Sequence, residues 1–240
     1  MEFFAHFAKK SLACQAQQAC TAHRQPKLFP NGEEKKLSLD TILLINHTLT
    51  DEQIKLFCQT ISENIKELFV LPAQIRRVKQ LLFHTNIKIG SFIDYPLASG
   101  TKEKNAFEIA HTIKEGADVL EIFLPLIQIK TQNWRALYKE IALYNSITHT
   151  HVEVRYAIIH EEITELEKIY LARNMNALGI HAGAIHFENT NDALHVAELF
   201  QFEAPNNFQM NMNIQHLDLR KVERLHEKGV KNVGSIITSI

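Results

Sequence analysis

Strand-length apolar runs alternate with amphipathic helical patterns along most of this 240-residue chain, and that rhythm limits the fold more than any single motif. The apolar runs lie at 41–47, 67–71, 87–93, 118–124, 151–158, 177–181, 207–213 and 231–237. Helical patterns fall between them, at about 51–63, 73–83, 101–115, 133–145, 161–175, 190–200 and 217–228. A helix between two strands carries the chain back to the edge it left, so the strands run parallel. Eight strands separated by seven helices predict an α/β fold, a closed (β/α)8 TIM barrel. An open doubly wound sheet is the alternative. The local punctuation fits. Thr50-Asp51-Glu52-Gln53 is a capping box, Gly116 and Gly229 stand where helix C-caps belong, and Pro72 opens the second helix at a tolerated position.

Residues 1–38 stand outside this rhythm. Phe3, Phe4, Phe7 and Leu12 could line one side of a short helix, and Pro30 to Lys36 reads as a solvated linker. The expected organisation is therefore an N-terminal extension over 1–38, helical or disordered, followed by one barrel over 39–240. A formal net charge of −1 gives no basis for a nucleic-acid or anionic-membrane partner. Cys14, Cys20 and Cys58 are too few and too irregularly spaced for a disulfide framework, which fits a cytoplasmic protein. Lys9-Lys10 interrupt the apolar start, so no secretory leader is expected.

Several short stretches carry a family likeness. They are Asn46-His47-Thr48-Leu49, Phe69-Val70-Leu71-Pro72, Asp94-Tyr95-Pro96-Leu97, Ala106-Phe107-Glu108, Gly116-Ala117-Asp118-Val119-Leu120-Glu121 and Asn133-Trp134. In order and near-ungapped spacing they resemble the deoxyribose-phosphate aldolase family, from about Leu43 to the C-terminus. The resemblance implies a lyase barrel whose sixth strand carries a lysine that forms a Schiff base with substrate. Aligned this way, Asn176 to Gly183 takes the place of that strand and Gly179 the place of the lysine. An imine needs a primary amine, which glycine lacks. Asn211 takes the place of the family's second active-site lysine, Arg155 that of a third, and Glu121 that of the proton-relay aspartate. The family's phosphate-binding glycines after strand seven are replaced by Ile214-Gln215-His216, while Gly234-Ser235 are kept near strand eight.

Strand alternation puts Glu121, Glu153, Arg155, His181, Gln209, Asn211 and Asn213 on the inner face, with Arg155 paired to Glu121 or Glu153. No catalytic residue is assigned; Glu121, Gly179 and Asn211 stand at the family's positions by the resemblance. The ligand-binding candidates are Asn46, Asp94, Glu121, Arg155, His181, Asn211, Asn213 and Ser235. His149-Thr150-His151 reads as a surface loop. His181 with His160, His186 and His216 could gather at the barrel mouth, though no metal is assigned to them. There is no P-loop, dinucleotide fingerprint or nucleophile elbow, so no cofactor is expected. The implied function is a family-like protein without Schiff-base activity, a binding or structural protein for a small polar ligand or sugar phosphate, with a homodimer as the assembly to test. The alternative is a residual or altered lyase acting on a sugar phosphate such as deoxyribose-5-phosphate.

Overall fold

A computed structural model of the chain describes residues 39–62, 64–148 and 152–238. The expectations for the 1–38 extension and for His149-Thr150-His151 lie outside the described residues.

The strands β1 (Thr41–Leu44), β2 (Glu67–Val70), β3 (Lys88–Ile93), β4 (Val119–Phe123), β5 (Glu153–Ile159), β6 (Ala182–Asn189), β7 (Gln209–His216) and β8 (Val230–Ile237) form a closed parallel barrel in chain order. β8 returns to pair with β1, Thr41 opposite Gly234 and Leu43 opposite Ile236. Closure removes both sheet edges and excludes the open-sheet alternative. The described helices are α1 (Asp51–Thr60), α2 (Ile75–Leu81), α3 (Lys102–Lys114), α4 (Leu126–Lys130), α5 (Trp134–Thr148), α6 (Glu165–Leu178), α7 (Thr190–Glu203) and α8 (Val222–Glu227).

Period-two alternation in each strand creates two separate cores. Outward side chains such as Leu44, Leu68, Val70, Ile122, Ile158 and Met212 pack beneath the helices. Inward ones, Leu43, Phe69, Phe92, Val119, Phe123, Ala157 and Ala184, fill the lumen. The capping box at α1 forms in both directions, Gln53 N to Thr50 Oγ1 and Thr50 N to Gln53 Oε1. A second one, Thr164 with Glu167, opens α6.

The sixth strand corrects the sequence reading. Residues 177–181 are not strand: α6 runs on through Leu178 and β6 starts at Ala182. Gly179 is the C-cap, with φ 74°, in the left-handed region that glycine enters without strain. Gly179 N bonds to Asn176 O at 3.1 Å and Ile180 N to Met175 O at 2.9 Å, and Ile180 is buried behind them. That is a Schellman ending, a glycine at the turn followed by an apolar residue folded back on the helix. An apolar residue–Gly–apolar residue sequence looks the same as a strand when read only for hydrophobicity. Gly179→Ala is expected to cost about 1–2 kcal/mol through the forced left-handed alanine. Thermal unfolding would show it as a fall of about 2–8 °C, and an unchanged midpoint would mean the cap relaxes freely. The short α4 lies outside the helical patterns read from the sequence.

Candidate ligand site in the barrel

The upper half of the lumen holds a three-residue polar cluster. Glu121 comes from the middle of β4, His186 from β6 and Asn213 from β7. All three face inward and are buried, Glu121 at 0%, Asn213 at 2% and His186 at 4% exposure. Buried polar groups of this kind are tolerated only when they satisfy one another. Glu121 Oε2 lies 2.7 Å from His186 Nε2. Asn213 Nδ2 donates to both Glu121 oxygens, at 3.0 and 3.1 Å, and is 3.1 Å from His186 Nε2. Gly234 makes this possible. A Cβ there would collide with Asn213 Oδ1 and, at 2.7 Å, with Leu43 Cδ1.

Aromatic rings enclose the imidazole. Phe123 lies edge-on with centroids 5.0 Å apart, Phe92 edge-on at 6.1 Å, and Tyr95 tilted at 6.0 Å. Ile45, Tyr95, Leu126, Ile159 and Ile236, all half-buried, pack over this lumen core as a mostly apolar rim. Tyr95 is the polar member of the rim. Burial and then the Glu121 charge push its hydroxyl above the ordinary tyrosine value, so it stays protonated at neutral pH. One group is left over. His186 Nδ1 is buried and has no hydrogen-bond partner among the described residues. An unmet buried nitrogen costs about 1–3 kcal/mol.

The lower half of the lumen holds a separate ion cluster. Arg155 on β5 donates from Nη1 to Glu67 Oε2 at 2.8 Å and from Nη2 to Glu67 Oε1. It also donates from Nε and Nη2 to Glu153 Oε1, at 3.0 and 2.7 Å. Thr41 Oγ1 donates to Glu67 Oε2 at 2.9 Å. Burial disfavours the Arg155 charge, but Glu67, with Glu121 and Glu153 behind it, outweighs that and raises its pKa. Burial likewise opposes the Glu153 charge, yet Arg155 and then Lys88 hold its carboxyl below the ordinary value. Every donor of this cluster faces a carboxylate, which is a closed structural arrangement.

The structure separates the sequence candidates. Glu121 and Asn213 meet in the upper cluster. Arg155 belongs to the lower one, paired with Glu153 as expected but with Glu67 in place of Glu121. Asn211 is also in the lower half. Its Nδ2 donates to Gly183 O at 2.9 Å and its Oδ1 accepts from Asn232, so it is not level with Glu121. His181 is exposed and precedes β6, at the base and not at the mouth, because the strand begins later than expected. Asp94 turns away from the lumen, where it pairs with Lys104 and Asn105 beneath α3. Asn46 closes a turn, accepting from Thr48 N and Oγ1 at 2.9 and 2.8 Å. Ser235 lies within β8 and, by alternation with Gly234 and Ile236, faces outward. The sequence reading missed Glu67 and Tyr95, and it had His186 only in the mouth group. Correct strand bounds give His186 directly, two residues on from the inward Ala184. Among the described residues no group of three or more His, Cys, Asp and Glu side chains could hold a metal ion.

Among the described residues no lysine nitrogen bonds to Glu121, His186 or Asn213 of the upper cluster. Lys88 and Lys231, on β3 and β8, bond at the base to Glu153 and Gln209. Lys168 on α6 is buried, with Nζ bonded to the His160 and Ile163 carbonyls, and its burial pushes the ammonium below the ordinary value. It serves the turn after β5.

Comparison with known proteins follows this geometry. No family model matches the chain. A deoxyribose-phosphate aldolase of Coprothermobacter proteolyticus is 30% identical over 105 residues, 41% of this chain and 48% of that protein. Another, of Brevibacillus brevis, is 28% identical over 148 residues, 58% of this chain and 64% of that protein. The chain spans from about half to somewhat less than two thirds of the length of the curated relatives it matches. Among solved structures, the aldolase QR15 superposes with a TM-score of 0.72 at 16% identity, over 85% of this chain and 92% of that one. The tetrameric deoxyribose phosphate aldolase of Aeropyrum pernix gives 0.62 at 15% identity, over 82% and 85%. At such identities the structural likeness carries the fold alone.

Proposed function

We propose that this chain, which belongs to the deoxyribose-phosphate aldolase family, keeps the family's barrel but works without its Schiff-base lysine. One observation carries the reading. At the level of Glu121 the inner faces of β6 and β7 present His186 and Asn213, an imidazole and an amide, where imine chemistry needs an amine. The cluster suits a small polar ligand that takes a hydrogen bond at the unmatched His186 Nδ1, inside an aromatic and aliphatic collar.

The altered phosphate region supports the same reading. Gln215 and His216 continue β7 as strand, so no glycine turn lets backbone amides approach a phosphate there. We extend the reading to a cytoplasmic protein that associates with itself, and the tetrameric Aeropyrum pernix structure supports the self-association. Among the described residues no helix is long and apolar enough to cross a membrane. The names of the curated relatives favour one other reading, a lyase acting on deoxyribose-5-phosphate.

Incubation with deoxyribose-5-phosphate or acetaldehyde, then borohydride and intact-mass measurement, separates the two. The expected mass is that of the unmodified chain. A stoichiometric reduced adduct on any lysine would overturn the proposal in favour of the lyase.

A further inference from the structure

The base of the barrel, the end opposite the mouth, opens onto a cavity of about 930 Å³. It lies between the starts of β2, β3 and β8 and the residues that close α1 and follow α2. Its volume is that of a small-molecule site. We propose that this basal cavity binds an amphipathic organic acid of single negative charge, a carboxylate on a short apolar body, with Lys231 as its anchor. The proposal is independent of what the upper lumen does.

The charges at this end call for an anion, and for one of low charge. Arg155, Lys88 and Lys231 meet two carboxylates, Glu67 and Glu153. Arg155 is bonded to both acids, and Lys88 Nζ donates to Glu153 Oε2 at 3.1 Å. Of these three cations, Lys231 alone lacks a carboxylate at hydrogen-bond distance among the described residues. Its Nζ donates to Gln209 Oε1, a neutral amide oxygen. Glu153 Oε1 stands 4.0 Å from it and already accepts from Arg155 Nε and Nη2. An ammonium has three donors, so the bond to Gln209 leaves two. The neighbouring lysines do not change this balance. Lys66 Nζ is 2.7 Å from the buried Asp40, and Lys79 donates to both oxygens of Asp118.

The rest of the lining selects the body of the ligand. Ile61, Ile65, Leu82 and Ile87 face the same cavity as the lysine heads. A bare anion would leave them against water, whereas a hydrocarbon body covers them. A dianion fits less well. It exceeds the one unbalanced charge, and its second charge meets Glu67 and Glu153, which also line the cavity. Lys231 is about half exposed, so its pairing with a ligand is weak and screened by salt. Apolar contact has to supply the remainder of the affinity, which is why acid and body are needed together.

The test titrates the full chain with hexanoate by calorimetry at physiological salt, with hexanamide and inorganic phosphate as comparison probes. Saturable one-to-one binding of hexanoate is expected, with the neutral amide and phosphate each weaker by about fivefold or more. Lys231→Met keeps the aliphatic stem and removes the charge, so it should weaken hexanoate by about fivefold, while Lys231→Arg should hold it near the original affinity. Methyl NMR locates the ligand. Hexanoate should shift Ile61, Ile65 and Ile87 and leave Ile45, Ile159 and Ile236 at the mouth unmoved. The absence of saturable binding overturns the proposal, as does binding unchanged by Lys231→Met. Shifts confined to the mouth isoleucines overturn it too. Phosphate or hexanamide binding as tightly as hexanoate would defeat the assignment of an amphipathic single-charged acid.

Discussion

Replacing Arg155 by methionine is expected to destabilise the barrel by about 3–5 kcal/mol. For a domain of this size that is a fall in melting temperature of about 6–20 °C. The reason is the partner left behind. Glu67 has a side chain only 5% exposed, and Arg155 is its cation. Without it the carboxylate either stays charged in the lumen or takes up a proton, and both cost stability. Glu153, at 26% exposure and still near Lys88, suffers less. Acid behaviour should change too. Glu153 is held below its ordinary 4.5, so the folded state binds fewer protons than the unfolded chain near that pH. The stability this supplies is complete above the ordinary carboxylate value and fades as pH falls through the lower folded value. In Arg155→Met that acid slope should flatten. Adding Glu67→Leu should recover part of the loss, because an apolar pair can replace a buried ion pair at little cost. A melting temperature unchanged by Arg155→Met would mean that water, and not the guanidinium, neutralises Glu67.

The barrel was legible because its signals are periodic and redundant. Seven of the eight apolar runs became strands within a few residues, since each needs only to show a face to the lumen and a face to the helices. The inner-face assignments on β5 and β7 survived for the same reason. Glu153, Arg155 and Ala157 fall on one side of β5, and Asn211 and Asn213 on one side of β7. The site was legible only in part. It depended on a single boundary, and Gly179 hid that boundary. A glycine cap followed by a buried isoleucine carries the same apolar signal as a short strand. Placing the strand there put His181 into the lumen and left His186 in the mouth group alone. Asn211 and Asn213, two residues apart, both face inward, so alternation alone cannot tell which of them meets Glu121; the structure gives that contact to Asn213. Glu67 was missed because it is the first residue of its strand, and a charged residue there reads as solvated until the lumen is assembled around it.

The burial of His186 inside the upper cluster makes a sharp expectation for introduced imine chemistry. His186→Lys should create an amine that can be trapped, while Gly179→Lys should not. At 179 a lysine would sit on the cap of α6, outside the barrel, in a left-handed backbone conformation. At 186 its nitrogen would enter the upper cluster beside Glu121 and Asn213, shielded from water by Phe92, Phe123 and Tyr95. Imine formation needs the neutral amine, and Glu121 opposes that by stabilising the ammonium. Adduct yield with acetaldehyde and borohydride should therefore be low at neutral pH and climb steeply toward pH 9–10. Combining His186→Lys with Glu121→Gln should bring the climb to lower pH, as the counter-charge is removed and only desolvation remains. Aldol cleavage should stay slow in both variants, because Asn213 supplies no second cation to suppress the ammonium and no carboxylate is then free to relay protons. Equal trapping in the 179 and 186 variants would show that the amine reacts from the surface and that the upper cluster gives an introduced lysine no advantage.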